Sequence, residues 1–167
     1  MKIKDLVYIS MFTSLIAVGA FIKLPIGLVM MTFQVMFVFI AGFVLKKKAV
    51  YSCLLYLFMG IIGLPIFVHG GGIQYVLQPT FGYIISFIFA SLYIGYFKDK
   101  HNIYVLCFVG LFIIYAIGIA YFIFIQNYIN ELSFTLQWAI SGLVLPYILQ
   151  DTLSCVIAYK ISKKLKF

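Results

Sequence analysis

The chain predicts an all-α integral membrane protein, a compact bundle of six membrane-spanning helices. Three observations carry that prediction. The composition is 65% hydrophobic and 10% charged with a mean hydropathy of +1.16, against roughly 25% charged residues in an average soluble domain. The apolar residues come in long runs punctuated by lysine, glycine or proline. Eleven of the twelve basic residues, all lysine, fall into four clusters: Lys2 and Lys4; Lys46 to Lys48; Lys98 and Lys100; and Lys160, Lys163, Lys164 and Lys166. Lysine-rich loops are retained in the cytoplasm, so the chain must cross and return between successive clusters. That gives an even number of spans per interval, both termini cytoplasmic, and a single multi-pass domain over residues 1–167 in the cell membrane.

The first span is Leu6 to Ile22, about 26 Å long at 1.5 Å per residue. It is retained rather than cleaved, since the rest of the chain is equally apolar. Lys23-Leu24-Pro25-Ile26-Gly27 breaks it, because proline lacks a donor and glycine permits turn dihedrals; Lys23 is the one lysine placed on the outer side. A second span, Thr32 to Leu45, ends at the Lys46 cluster, and a third, Ala49 to Gly63, ends at Gly63-Leu64-Pro65. An outer loop through His69-Gly70-Gly71-Gly72 leads to the fourth span, Phe81 to Phe97. The fifth runs from Ile103 to Ile125 and ends at Gln126-Asn127. Ser133 is a candidate cap for a short outer helix, and Pro146 suits the first turn of a sixth span, Pro146 to Ile161. Several spans are shorter than the usual ~20 residues, which re-entrant outer loops would explain.

A net charge of +8 raises nucleic acid as a partner. Here the lysines border apolar segments, so anionic headgroups of the lipid bilayer are the better contact and nucleic acid is excluded. Nucleotide-binding, zinc-protease and nucleophile-elbow motifs are all absent. Two histidines assigned to opposite membrane faces and three cysteines inside apolar runs make no metal site, so an enzyme is not expected.

Asp151 is the informative charge. A carboxylate within an apolar span costs about 2.5–3.5 kcal/mol on insertion scales and therefore needs a partner or a polar cavity. It is either a structural acid bonded to hydroxyls of neighbouring helices or an acceptor facing a ligand. Amides and hydroxyls fall on the same outer half: Gln34 at the start of the second span, Gln74 and Gln78 in the loop after the third, Thr80 and Tyr83 at the start of the fourth. An amide offers both a donor and an acceptor, suiting a neutral ligand with a urea or amide group; simple solvation is the other reading of each glutamine. Gly70, Gly71 and Gly72 lack the lysine and hydroxyl of a phosphate loop and read as a mobile lid over a pocket. Ser10, Thr13, Ser14, Ala17 and Ala20 share one face of the first helix. Small faces let helices approach closely in lipid, either within the bundle or against a partner.

Several segments agree in order and spacing with a known family. They are Phe21-Ile22-Lys23-Leu24-Pro25-Ile26-Gly27-Leu28-Val29 followed by Thr32 and Gln34, then Gly63-Leu64-Pro65-Ile66-Phe67 followed by Gly70-Gly71-Gly72, then Leu77-Gln78-Pro79-Thr80-Phe81-Gly82-Tyr83. On these residues the chain resembles the BioY family, the biotin-specific S-components of energy-coupling-factor transporters. The resemblance implies a six-helix bundle holding biotin in an outer pocket without any cofactor, closed by the loops carrying Lys23, Pro25, Gly27 and Gly70 to Gly72. It implies a membrane T-component as partner, met through Ser10, Thr13, Ser14 and Ala17, and through it two cytoplasmic ATPases. Ligand contacts are expected from Gln34, Gln74, Gln78, Tyr83, Asp151 and Ser154, of which the resemblance itself implies Asp151 and the position of Ser154. In the family's Gly-Asp-Leu-Leu-Lys run the aspartate matches Asp151, but the lysine is replaced by Ser154, and Met30 stands where proline is common. An S-component for a biotin relative or another small carboxylated cofactor is the alternative within the class. A membrane-embedded enzyme or a helical scaffold is the alternative outside it.

Overall fold

The computed structural model describes residues 2–25 and 30–165. Six helices of 12 to 22 residues form the bundle: α1 (Ile3–Phe21), α2 (Gln34–Leu45), α3 (Ala49–Ile62), α4 (Phe81–Phe97), α5 (Ile103–Phe124) and α7 (Ile148–Lys164). A seventh, α6 (Leu136–Leu143), has eight residues. Between α1 and α2 the strands β1 (Lys23–Leu24) and β2 (Met31–Thr32) pair antiparallel, with Lys23 opposite Thr32. Short 3-10 turns cover Lys46–Lys48 and Ile73–Leu77.

Element boundaries differ from the sequence reading where local bonding decides them. The first helix begins at Ile3, because the Lys2 backbone N–H is bonded to the Asp5 carboxylate at 3.0 Å and closes the first turn. Thr32 pairs in β2, so α2 begins at Gln34. The fifth span does not end at Gln126-Asn127 but continues as a π-helical turn over Ile125–Ile129. The short helix α6 is capped by Thr135, whose hydroxyl accepts from Trp138 N–H, and not by Ser133. Pro146 precedes α7 instead of opening it, and α6 and α7 meet at 54°.

The helices differ in whether they can cross a membrane by themselves. The continuous run Ile103–Ile129 and α1 are long and apolar enough to span alone, and α6 with α7 does so as a bent pair. By contrast the 12-residue α2 reaches about 18 Å, short of a ~30 Å hydrocarbon core. Irregular backbone is tolerated at that depth when its polar groups are paired inside the protein, and here they are. Gly72 N–H bonds Gly60 C=O at 2.7 Å, Phe67 and Gly70 form a bridge, and Tyr75 N–H bonds Gly72 C=O at 3.0 Å. Exposed side chains along the bundle are largely Phe, Leu, Ile and Val, including Phe108, Phe112, Phe58 and Leu149.

Packing holds the bundle through aromatic contacts and glycine notches. Phe12, Phe39, Phe43, Tyr56, Ile94, Leu106 and Ile114 are fully buried in one cluster. Helices α4 and α5 lie closest, because Gly82 leaves room for Tyr121 and Gly118 leaves room for the Tyr83 ring; a Cβ at either place would overlap its neighbour. Close approach of this kind is what dispersion-driven association in lipid requires.

Among the described residues, all lysines except Lys23 gather at one end. There Lys48 pairs with Asp5 and Lys46 with Asp99, each at 2.7 Å. Lys98 Nζ caps the Phe43 carbonyl at the end of α2, and the ammonium groups of Lys47 and Lys100 lie 4.3 and 4.5 Å from the Tyr96 ring centre. The Lys46 ammonium holds the Asp99 carboxyl below the usual carboxylate range. These contacts join the N-terminus, the α2–α3 turn and the α4–α5 turn, so the chain does return to one end between clusters.

Candidate ligand-binding site

At the opposite, loop end a cavity lies among α2, α4, α5 and the start of α7. Water-sized spheres can centre through about 90 Å³ of it, several times the ~10–15 Å³ that one water needs. Its polar groups include Gln34, Tyr75, Thr80, Tyr83, Tyr115, Tyr147, Gln150 and Asp151; Ile84, Phe87, Ile114 and Leu143 supply apolar wall, and Met30, Met31, Thr32 and Val68 come from the loops.

Each polar side chain is placed by an element whose own geometry fixes it. Gln34 opens α2, is 4% exposed, and donates from Nε2 to Tyr56 Oη at 2.8 Å. Tyr56 in turn donates to Ile66 C=O at 3.0 Å, so the amide is oriented by the loop after α3. Gln150 Nε2 donates to Thr32 C=O at 3.1 Å, fastening the β1–β2 hairpin onto α7. Tyr83 packs its ring on Gly118, and its buried hydroxyl has no hydrogen-bond partner among the described residues. An unsatisfied buried hydroxyl costs about 1–3 kcal/mol, a cost that a ligand acceptor would remove.

Asp151 is 6% exposed and accepts a hydrogen bond from Tyr115 Oη at 2.6 Å. It lies in the first turn of α7, where the partial positive charge of the helix end typically contributes 0.3–1 kcal/mol to an acid and up to ~2 kcal/mol when partly buried. Asp151 is buried just after the 54° bend that precedes α7, while Ile148 and Leu149 of the same turn are exposed. No lysine or arginine is among the described residues that line the cavity. Tyr115 and the helix end take the place of the cation that Ser154 does not provide.

Of the residues singled out in the sequence, the cavity brings together Gln34, Thr80, Tyr83 and Asp151. Gln74 and Gln78 do not reach it. Both are exposed on the outside of the 3-10 turn, where Gln74 Nε2 caps Gly71 C=O at 3.0 Å. Ser154 is buried one turn further along α7 and does not line the cavity. Tyr115, Tyr147 and Gln150 were missed. A tyrosine in the middle of so apolar a helix is itself a signal, since its hydroxyl must find a partner.

The loop residues and the small-residue face also divide. Lys23 Nζ donates to Val68 C=O at 2.7 Å, tying the two loops together. Pro25 is exposed, and Gly27 lies outside the described residues. Gly70 and Gly72 take φ of 116° and 104°, and a Cβ on Gly71 would strike the Leu64 carbonyl. The glycines therefore permit a tight loop path, and Val68 is the residue of that loop that lines the cavity. On α1, Ser10 and Ser14 are exposed and Ala17 half-buried. Thr13 turns inwards instead: it is 3% exposed, with its hydroxyl bonded to Ile9 C=O at 2.9 Å and to Ser52 C=O of α3 at 3.1 Å.

Removing the donor to the carboxylate gives a direct check. Tyr115→Phe should lower stability by roughly 1–3 kcal/mol, and by much less when Asp151 is already Leu, because the loss is that of a buried acceptor left unpaired. Thermal unfolding of the detergent-solubilised single and double variants measures both. Equal losses in the two backgrounds would show that the hydroxyl and carboxylate are not coupled.

Comparison with known proteins agrees with this geometry. The model of the BioY family matches residues 1–167. The chain is 50% identical over 124 residues to a probable biotin transporter BioY from Lysinibacillus sphaericus, an alignment taking in 70% of this chain and 63% of that protein. It is 35% identical to the biotin transporter BioY of Thermotoga maritima over 98% of this chain and 96% of the relative. Its fold superposes with a TM-score of 0.81 on the crystal structure of the S-component for biotin from an ECF-type ABC transporter, at 26% identity, covering 97% of this chain and 90% of that one. The chain belongs to the BioY family.

Proposed function

We propose that this protein is the substrate-binding subunit of an ECF-type transporter, capturing biotin in the loop-end cavity and passing it inwards with ATP-driven partners. The observation that carries the reading is a buried carboxylate, Asp151, set at a helix start beside Tyr115 and Tyr83 in a chain whose structural neighbour is an S-component for biotin. Relatives named as transporters make it a transport subunit rather than an enzyme, and biotin is cargo rather than cofactor.

The chemistry fits atom by atom. Biotin's ureido ring carries two N–H donors and one carbonyl. Asp151 accepts one N–H, the unpaired Tyr83 hydroxyl donates to the carbonyl, and Gln34 is close enough in the lining to orient the ring. The bicycle meets Ile84, Phe87, Ile114 and Leu143. Ser154, standing where the family has lysine, favours a second reading in which a biotin relative is the better ligand; competition between biotin and its precursors separates the two. Asp151→Asn should weaken biotin binding on the order of 10- to 100-fold, the worth of a hydrogen bond to a charged group, while leaving some affinity because the amide still accepts. Calorimetric titration of the purified subunit checks this, and unchanged affinity would make Asp151 purely structural.

The loop end faces outwards in this reading, with both termini and the Lys46 to Lys48 turn in the cytoplasm. A cysteine placed at Lys47, in a background without Cys53, Cys107 and Cys155, should resist an impermeant thiol reagent in intact cells and react once they are opened. Labelling from outside would invert the topology.

Docking with a membrane T-component, and through it two ATPases, uses the outward part of α1, now Ser10, Ser14 and Ala17 without Thr13. Ser14→Trp should abolish uptake by the assembled transporter while biotin binding by the isolated subunit stays within about twofold, as expected for a surface change away from the cavity. Loss of both together would place Ser14 in internal packing.

A further inference from the structure

We propose that Lys23 is the counter-ion for the ligand's carboxylate and so sets the preference of this site for an acid over its neutral amide. The inference rests on the biotin reading above and extends it to a residue outside the cavity lining.

The charge distribution leads there. The cavity carries one acidic side chain, Asp151, and no lysine or arginine among its described lining residues. A ligand that presents its N–H donors to Asp151 must turn its own carboxylate away, because two anions cannot share a low-dielectric space without strong repulsion. The hairpin and the loop after α3 supply the lining residues Met31, Thr32 and Val68. Of the described lysines, Lys23 is the single one at this end of the bundle.

Its position is fixed from two sides by cavity-lining residues. The backbone of Lys23 pairs with Thr32 across the hairpin, and Thr32 lines the cavity and is held there by Gln150. The Lys23 ammonium donates to the carbonyl of Val68, which also lines the cavity. Among the described residues Val68 takes one of its three ammonium donors, and a carboxylate can take the others. A lysine whose only role was to fasten the loops would serve a charged and a neutral ligand alike. A lysine facing an arriving anion would not.

The test compares biotin with biotinamide, identical except for the terminal charge, by calorimetric titration of the full-length subunit in detergent. The wild type should bind the acid about tenfold more tightly, between the worth of an exposed pair and that of a hydrogen bond to a charged group. Lys23→Arg should keep most of that ratio, and Lys23→Gln should bring it close to one by weakening the acid selectively. Raising the salt concentration should lower the wild-type ratio and leave that of Lys23→Gln unchanged. A wild type that binds acid and amide equally overturns the proposal. So does a Lys23→Gln variant that loses both ligands in proportion, which would assign Lys23 to closing the loops alone. A wild type that binds neither compound removes the biotin reading itself, and this inference with it.

Discussion

A carboxylate held inside an apolar bundle is the constraint around which this structure is organised. Asp151 is 6% exposed in a protein with very few acids, and burying an unpaired charge costs several kcal/mol even after relaxation. The fold offsets that cost without a lysine. The acid sits in the first turn of a helix, a tyrosine from the longest helix points its hydroxyl at it, and the remaining space is left as a polar cavity rather than filled. The notch that Gly118 provides for the Tyr83 ring belongs to the same solution, because it lets α4 and α5 bring both phenols to one place.

Charge is segregated along the bundle. One end carries the lysine clusters, neutralised in part by Asp5 and Asp99 and braced on aromatic rings. Among the described residues, the other end carries one lysine, exposed glutamines and loops whose backbone groups bond among themselves. The first end is built to rest against anionic headgroups, and the second to enclose a small molecule. Division of labour between the two ends follows from the lipid solvent, which tolerates charge only at its margins and irregular backbone only where it is internally paired.

Much of this was legible in the sequence, and what was not has definite causes. Lysine spacing and apolar run length located the helices, since both express the same requirement to cross and return. They did not locate their ends, because Thr135 and Ser133 are equally able caps and only the path of the chain selects one. The small residues of α1 showed a shared face but not its direction, and Thr13 turned inwards because Ser52 offered a carbonyl there. Among the candidate site residues, Gln34, Tyr83 and Asp151 were visible as polar groups at the edges or inside of apolar runs. Gln74 and Gln78 looked the same in sequence and proved to be solvated, since a 3-10 turn faces them outwards. Tyr115 was hidden because α5 has no polar periodicity to set it off.

Pro146 makes the bend before α7 permanent. Without an N–H, and with a ring that would collide with the carbonyl four residues back, it forbids α6 and α7 from ever merging into one straight helix. The acid, its phenol and the helix end therefore stand in their working arrangement before any ligand arrives. Binding then loses little entropy at the base of the site, and the ordering cost of recognition is confined to the hairpin and loop at its mouth. Affinity and the speed of closure are in this way separated between different parts of the molecule, so that changes in the loops can retime capture while leaving the chemistry of recognition in place.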